Sequence, residues 1–94
     1  MKIRDDINLK ELGKFGFKEC YDYFYYPKAR LQSDVCVSKK TKTISLVECD
    51  DFIRVIKGEK NIIQVNVQRD RRTKTLNEIP IIKDLIKADL VEKV

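Results

Sequence analysis

Ninety-four residues supply enough apolar surface for one hydrophobic core and not two, so residues 1–94 are read as a single domain. Hydrophobic residues (43%) and charged residues (37%) are spread along the whole chain, which excludes a long disordered tail, and no apolar run nears the roughly 20 residues of a membrane-spanning helix. A formal net charge of +5 makes RNA or DNA binding physically possible, and Met1–Asn8 has charges where a secretory signal places its apolar segment, which predicts a cytoplasmic protein.

In chain order, Asn8 and Glu11 have the spacing of a capping box, and Leu9, Leu12 and Phe15 recur at helical intervals, so a short helix is expected over Leu9–Phe15. Gly16 suits the left-handed residue that ends a helix, with Phe17 folding back on the last turn. From Phe17 to Tyr26 the chain is aromatic and β-prone, with Tyr21, Tyr23 and Tyr25 on one parity and Cys20, Phe24 and Tyr26 on the other, which reads as one strand covered on both faces. Pro27 should end it, leaving Lys28–Ser33 as a connection.

Val35–Glu48 reads as a hairpin with a polar tip at Lys39–Lys42, because Val35, Val37, Ile44 and Leu46 alternate with their neighbours. Asp50 and Asp51 interrupt the pattern. Phe52–Ile56 and Ile62–Val67, separated by a turn containing Gly58, are expected to form a second hairpin. Gln68–Lys74 is a polar link. Thr75 and Glu78 repeat the capping-box spacing, and Pro80 suits a first helical turn, so a final helix is predicted over Pro80–Ala88. Ile82, Leu85 and Ile86 then share one face. Leu90–Val94 either extends that helix or adds an edge strand. An α+β fold follows: an antiparallel sheet of four or five strands, with the N-terminal helix and the C-terminal amphipathic helix packed on one face.

The side chains permit little catalytic chemistry. Without histidine, the usual general base and the usual partner of a nucleophilic Ser or Cys are missing. Gly13, Gly16 and Gly58 match neither phosphate-loop spacing. Three scattered cysteines, Cys20, Cys36 and Cys49, are too few for a zinc site and odd in number for a disulfide framework, so reduced thiols are expected, with Cys36 and Cys49 as small strand residues. Glu48, Asp50 and Asp51 are the one acid cluster beside a strand. A metal-dependent phosphodiesterase would add a lysine two residues after Glu48, where Asp50 stands, so a solvated inter-strand turn is the simpler expectation. No enzyme, cofactor or metal is therefore expected.

Basic residues are more informative. Lys39, Lys40 and Lys42 form one group, and Arg69, Arg71, Arg72 and Lys74 a second. Both are candidate binding residues, since clustered cations attract phosphate backbones and the tyrosines offer stacking faces to unpaired RNA or DNA bases. The alternative is that these groups only keep the domain soluble while the tyrosines fill its core; Asp70 also interrupts the arginine run.

Three stretches carry a resemblance: Met1-Lys2-Ile3-Arg4 with Leu9-Lys10-Glu11-Leu12 and Phe15-Gly16-Phe17-Lys18, the tyrosine-rich segment, and Ile82-Lys83-Asp84-Leu85-Ile86 with Leu90-Val91-Glu92. The chain resembles small uncharacterised proteins encoded by bacteriophages and prophages of low-GC bacteria. Its matching motifs are structural, and no functional residue is carried over. What the resemblance implies is a non-enzymatic binding protein, either an inhibitor of a host defence effector, as anti-CRISPR proteins are, or an accessory factor. A basic inhibitor does not imitate DNA; it would occupy a guide-RNA or acidic protein surface, with the arginine segment as its expected contact. The expected partner is thus a host protein or ribonucleoprotein. An edge strand at Val35–Ser38 or Leu90–Val94 would allow a homodimer in place of a monomer.

Overall fold

A computed structural model describes residues 1–30, 33–60, 67–68 and 73–92. Its elements in chain order are β1 (Lys2–Ile3), a 3-10 helix (Leu9–Phe15), β2 (Lys18–Cys20), β3 (Tyr23–Arg30), β4 (Ser33–Ser38), β5 (Ile44–Glu48), α1 (Cys49–Ile56), β6 (Val67–Gln68), α2 (Thr73–Glu78), α3 (Pro80–Lys87) and β7 (Val91–Glu92). Strands β2-β3-β4-β5-β6 form an antiparallel sheet in that order, and β1 pairs antiparallel with β7 in a second, two-stranded sheet. The fold is α+β, as the sequence predicts.

The first helix occupies the expected residues but is wound as a 3-10 helix. The Asn8 side chain caps it by accepting from the Lys10 N–H at 3.0 Å, while the Glu11 carboxylate pairs with Lys14 at 2.9 Å. Gly16 ends it at φ 96°, and the Phe17 N–H returns to the Leu12 carbonyl at 3.2 Å. A Cβ on Gly16 would lie 3.1 Å from the Tyr26 ring, so both backbone and space require glycine there.

The aromatic segment corrects the sequence reading twice. It is two strands and not one: β2 and β3 pair Lys18 with Tyr25, Glu19 with Phe24 and Cys20 with Tyr23 around a turn at Tyr21-Asp22. Nor does Pro27 end the strand. β2 covers only Tyr23–Tyr25 of β3, and on the other side the register with β4 shifts between Tyr26 and Arg30. The missing N–H of Pro27 thus falls in an irregular stretch where ladder bonds are already interrupted.

The Val35–Glu48 hairpin forms as read, with Val35 opposite Leu46 and Val37 opposite Ile44. Its first strand is central, flanked by β3 and β5, so Val35–Ser38 is not the edge that sequence suggested for dimer pairing. β7, within Leu90–Val94, is the edge-type strand of the pair considered, and it pairs with β1. Asp89, at φ 61°, turns the chain out of α3 into it.

Phe52–Ile56 is not a strand. It lies in α1, because Phe52, Val55 and Ile56 follow the i, i+3, i+4 spacing of a helical face, whereas Ile53 is 43% exposed. Asp50 and Asp51 sit in its first turn, against the positive pole of the helix, and Arg54 sits in its last. The second hairpin is thereby overturned at its first strand; of its second strand, Val67 lies in β6 and pairs with Val47, and residues 62–66 lie outside those described. Gln68 and Lys74, read as ends of a link, belong to β6 and α2. Thr75 and Glu78 lie inside α2 instead of capping the last helix, whose N-cap is Ile79 with Pro80 following.

Alternation along the strands divides the core. Phe24, Val35, Val37, Ile44 and Leu46 meet Leu9 and Leu12 of the first helix and Leu76, Ile82 and Leu85 of the last two on one face. Cys36 and Val47 point to the other face, where Phe52 and Val55 of α1 cover them beside Tyr23 and Tyr25. The two helices expected on one face are there; α1 on the opposite face was not foreseen. It is why Ser33–Val37 is buried at every position.

Candidate binding surface at the hairpin turns

Two turns lie side by side at one end of the large sheet, because Tyr23 at the start of β3 is opposite Ser38 at the end of β4. The Lys39 N–H donates to the Asp22 carbonyl at 2.8 Å, joining the β4–β5 turn to the β2–β3 turn. Its ammonium donates to Glu19 Oε2 and lies 5.3 Å from the centre of the Phe24 ring. That hydrogen bond from Lys39 holds the Glu19 carboxyl below its ordinary range, against the opposing effect of desolvation. Ser38 Oγ accepts from the Lys40 and Thr41 N–H groups, each at 3.2 Å, which fixes the tip from inside.

Lys42 is a structural residue. At φ 62° it turns the chain back into β5, and its ammonium donates to the carbonyls of Ile7 (2.6 Å), Asp5 (3.0 Å) and Arg4 (3.4 Å), clamping the loop before the first helix. Backbone bonds reinforce the clamp: the Ile3 N–H donates to the Lys42 carbonyl and the Ile44 N–H to the Met1 carbonyl. The expected basic patch at this tip therefore loses two of its three cations to internal contacts, and Lys40 is the exposed one. Of the second group, Arg69, Arg71 and Arg72 lie outside the described residues and Lys74 falls within α2.

The tyrosines divide in the same way. Tyr26 packs on Phe17 with ring centres 5.4 Å apart, and Tyr23 and Tyr25 flank Phe52 at 5.9 and 5.5 Å. Partial burial, with Cys36 and Asp22 nearby, raises the Tyr23 hydroxyl above its ordinary pKa. Tyr21 alone of the four is largely exposed, at 77%, and it occupies the β2–β3 turn at φ 46°. Sequence parity placed it in a strand; the turn preference of Asp22 was the available signal that the strand breaks there.

The acid cluster is the N-terminus of α1: Glu48 is the N-cap, and Asp50 and Asp51 are in the first turn, so the expected inter-strand turn is corrected to a helix start. Among the described residues no group of three or more Cys, Asp or Glu side chains gathers to hold a metal ion. Cys36 is buried in β4 as expected, its thiol pushed up to about 12, first by burial and then by Asp34. Cys49 is not a strand residue; it opens α1 and donates from Sγ to Asp34 Oδ1 at 2.9 Å. Among the described residues no helix is long and apolar enough to cross a membrane.

Comparison with protein-family models, with curated proteins and with solved structures finds no match.

Proposed function

We propose that this chain is a non-enzymatic binding protein that inhibits or modulates a host macromolecule through protein contacts, using the end of the sheet that carries the two hairpin turns. One observation supports this reading above the others: Lys39 ties both turns together, through Asp22 and Glu19, into a surface already fixed before any partner arrives. A surface ordered in advance loses less conformational entropy on binding than a loose loop does. The resemblance of both chain ends to phage-encoded proteins favours a host defence effector as the target.

Direct RNA or DNA binding draws less support from this end of the molecule. Phosphate affinity grows with the number of cations available to displace counterions, and Lys39 and Lys42 are committed internally. Affinity purification from the native host, paired with phage growth on hosts carrying and lacking defence systems, tests the proposal. A specific host protein recovered with the chain, and growth restored on defended hosts, are expected. Recovery of no host protein, with phage growth unchanged, would remove the reading.

A further inference from the structure

We propose that Tyr21 is the anchor of this surface and seats in an apolar slot of a partner protein whose rim presents a carboxylate to Lys40. The inference rests on the binding reading above and adds to it a residue and a partner chemistry.

The backbone carries the first part of the argument. Cys20 pairs with Tyr23, so Tyr21 and Asp22 form a two-residue hairpin turn, and only Tyr21 of the two has a left-handed φ, 46°. Hairpins ordinarily give that position to glycine, asparagine or aspartate, because a side chain with a bulky Cβ substituent is disfavoured there. Packing does not explain the exception. The ring is 77% exposed, whereas Tyr23, Tyr25 and Tyr26 are each packed against a phenylalanine. A strained aromatic that contributes little to the core is the pattern of a residue kept for contact.

The surroundings give the partner its chemistry. A tyrosine on a fixed turn presents large amphipathic area with few rotatable bonds, which is how aromatic side chains dominate protein interfaces. In this surface Lys39 pairs with Glu19, which also feels the charge of the exposed Lys10, while Lys40 is exposed at the tip and the exposed Asp22 opposes a phosphate backbone. Among the lysines of the β4–β5 turn only Lys40 is exposed, and one such cation next to an acid suits a carboxylate on a protein rim better than a polyanion.

Three variants and two probes test this. Tyr21→Gly should raise the melting temperature of the isolated chain by about 4–8 °C, since glycine accepts the left-handed turn. The host protein recovered with the wild type, identified by mass spectrometry, purified and titrated, should bind Tyr21→Gly at least about 30-fold more weakly despite that gain. Tyr21→Phe should bind within about 5-fold of wild type, and Lys40→Ala should bind a few-fold more weakly with a flatter salt dependence. Equal titration of wild type and Tyr21→Gly would overturn the anchor while leaving the binding function standing. Capture of nothing by the wild type would remove both. A Tyr21→Gly chain no more stable than wild type would overturn the strain argument. Binding of a fluorescein-labelled oligouridylate that disappears in Tyr21→Gly would replace the protein slot with nucleic acid.

Discussion

Replacing Lys42 with methionine keeps the length and apolar stem of the side chain and removes its three donors. The ammonium serves the Ile7, Asp5 and Arg4 carbonyls at 2.6, 3.0 and 3.4 Å, so two bonds of good geometry and one weak one are lost. A hydrogen bond from a charged donor contributes about 1.5–3 kcal/mol, and the half-exposed setting allows water to recover part of that, which leaves a cost of about 2–4 kcal/mol. For a chain of this size the corresponding fall in melting temperature is about 10–25 °C. Urea unfolding followed by circular dichroism reads the change directly, as a midpoint lowered by about 1–2 M at unchanged slope. Lys42→Gly should fall between methionine and wild type, because glycine loses the donors but accepts φ 62°. Lys40→Met, which removes an exposed ammonium, should stay within about 0.5 kcal/mol of wild type. If Lys42→Met is as stable as Lys40→Met, the clamp contributes nothing, and Lys42 returns to the pool of surface cations.

Phe52→Ala should cost about 3–5 kcal/mol, since the ring is fully buried between α1 and the sheet and is flanked by Tyr23 and Tyr25; chemical denaturation measures it. Gly16→Ala should cost about 1–2 kcal/mol through the combination of φ 96° and the contact with Tyr26, again by denaturation. Cys36 gives a pH dependence of known sign. Its folded pKa, about 12, lies above the ordinary 9, so the stability it contributes is present below pH 9 and is lost as pH rises from 9 towards 12, by at most about 1.4 kcal/mol per unit. Urea midpoints in reducing buffer at pH 8 and pH 10.5 should therefore differ for wild type and differ less for Cys36→Ala. Glu19 has the opposite sign: its depressed folded pKa gives a contribution present above pH 4.5 and lost as pH falls below it, and Glu19→Gln should remove that part of the acid sensitivity.

Much of the fold was legible because its signals are local. Asn8 and Gly16 mark the ends of the first helix through caps that act within a few residues, and Ile82, Leu85 and Ile86 repeat a helical face that only a buried helix needs. The β4–β5 hairpin likewise announces itself by alternation. Phe52–Ile56 was misread because five residues fit both periods: Phe52 and Ile56 share a face in a strand and also in a helix. β1 was invisible, since a two-residue strand has no pattern, and its bonds to Lys42 and β7 come from distant segments.

The candidate site was legible only in composition. Lysines at the tip could be counted, but Lys39 finds Glu19 and Lys42 finds the carbonyls of residues 4–7 only once the strands have placed them together. Tyr21 was hidden for a related reason. Its parity matches Tyr23 and Tyr25, and only the pairing of Cys20 with Tyr23 removes it from the strand and sets it in the turn.

Photo-crosslinking from the hairpin end tests the central claim most directly. A benzoylphenylalanine placed at Tyr21 should crosslink to one host protein in living cells, and the same group at Ile53, the exposed apolar residue of α1, should not. Crosslinking from Ile53 and not from Tyr21 would contradict the account and move the binding surface to the helix.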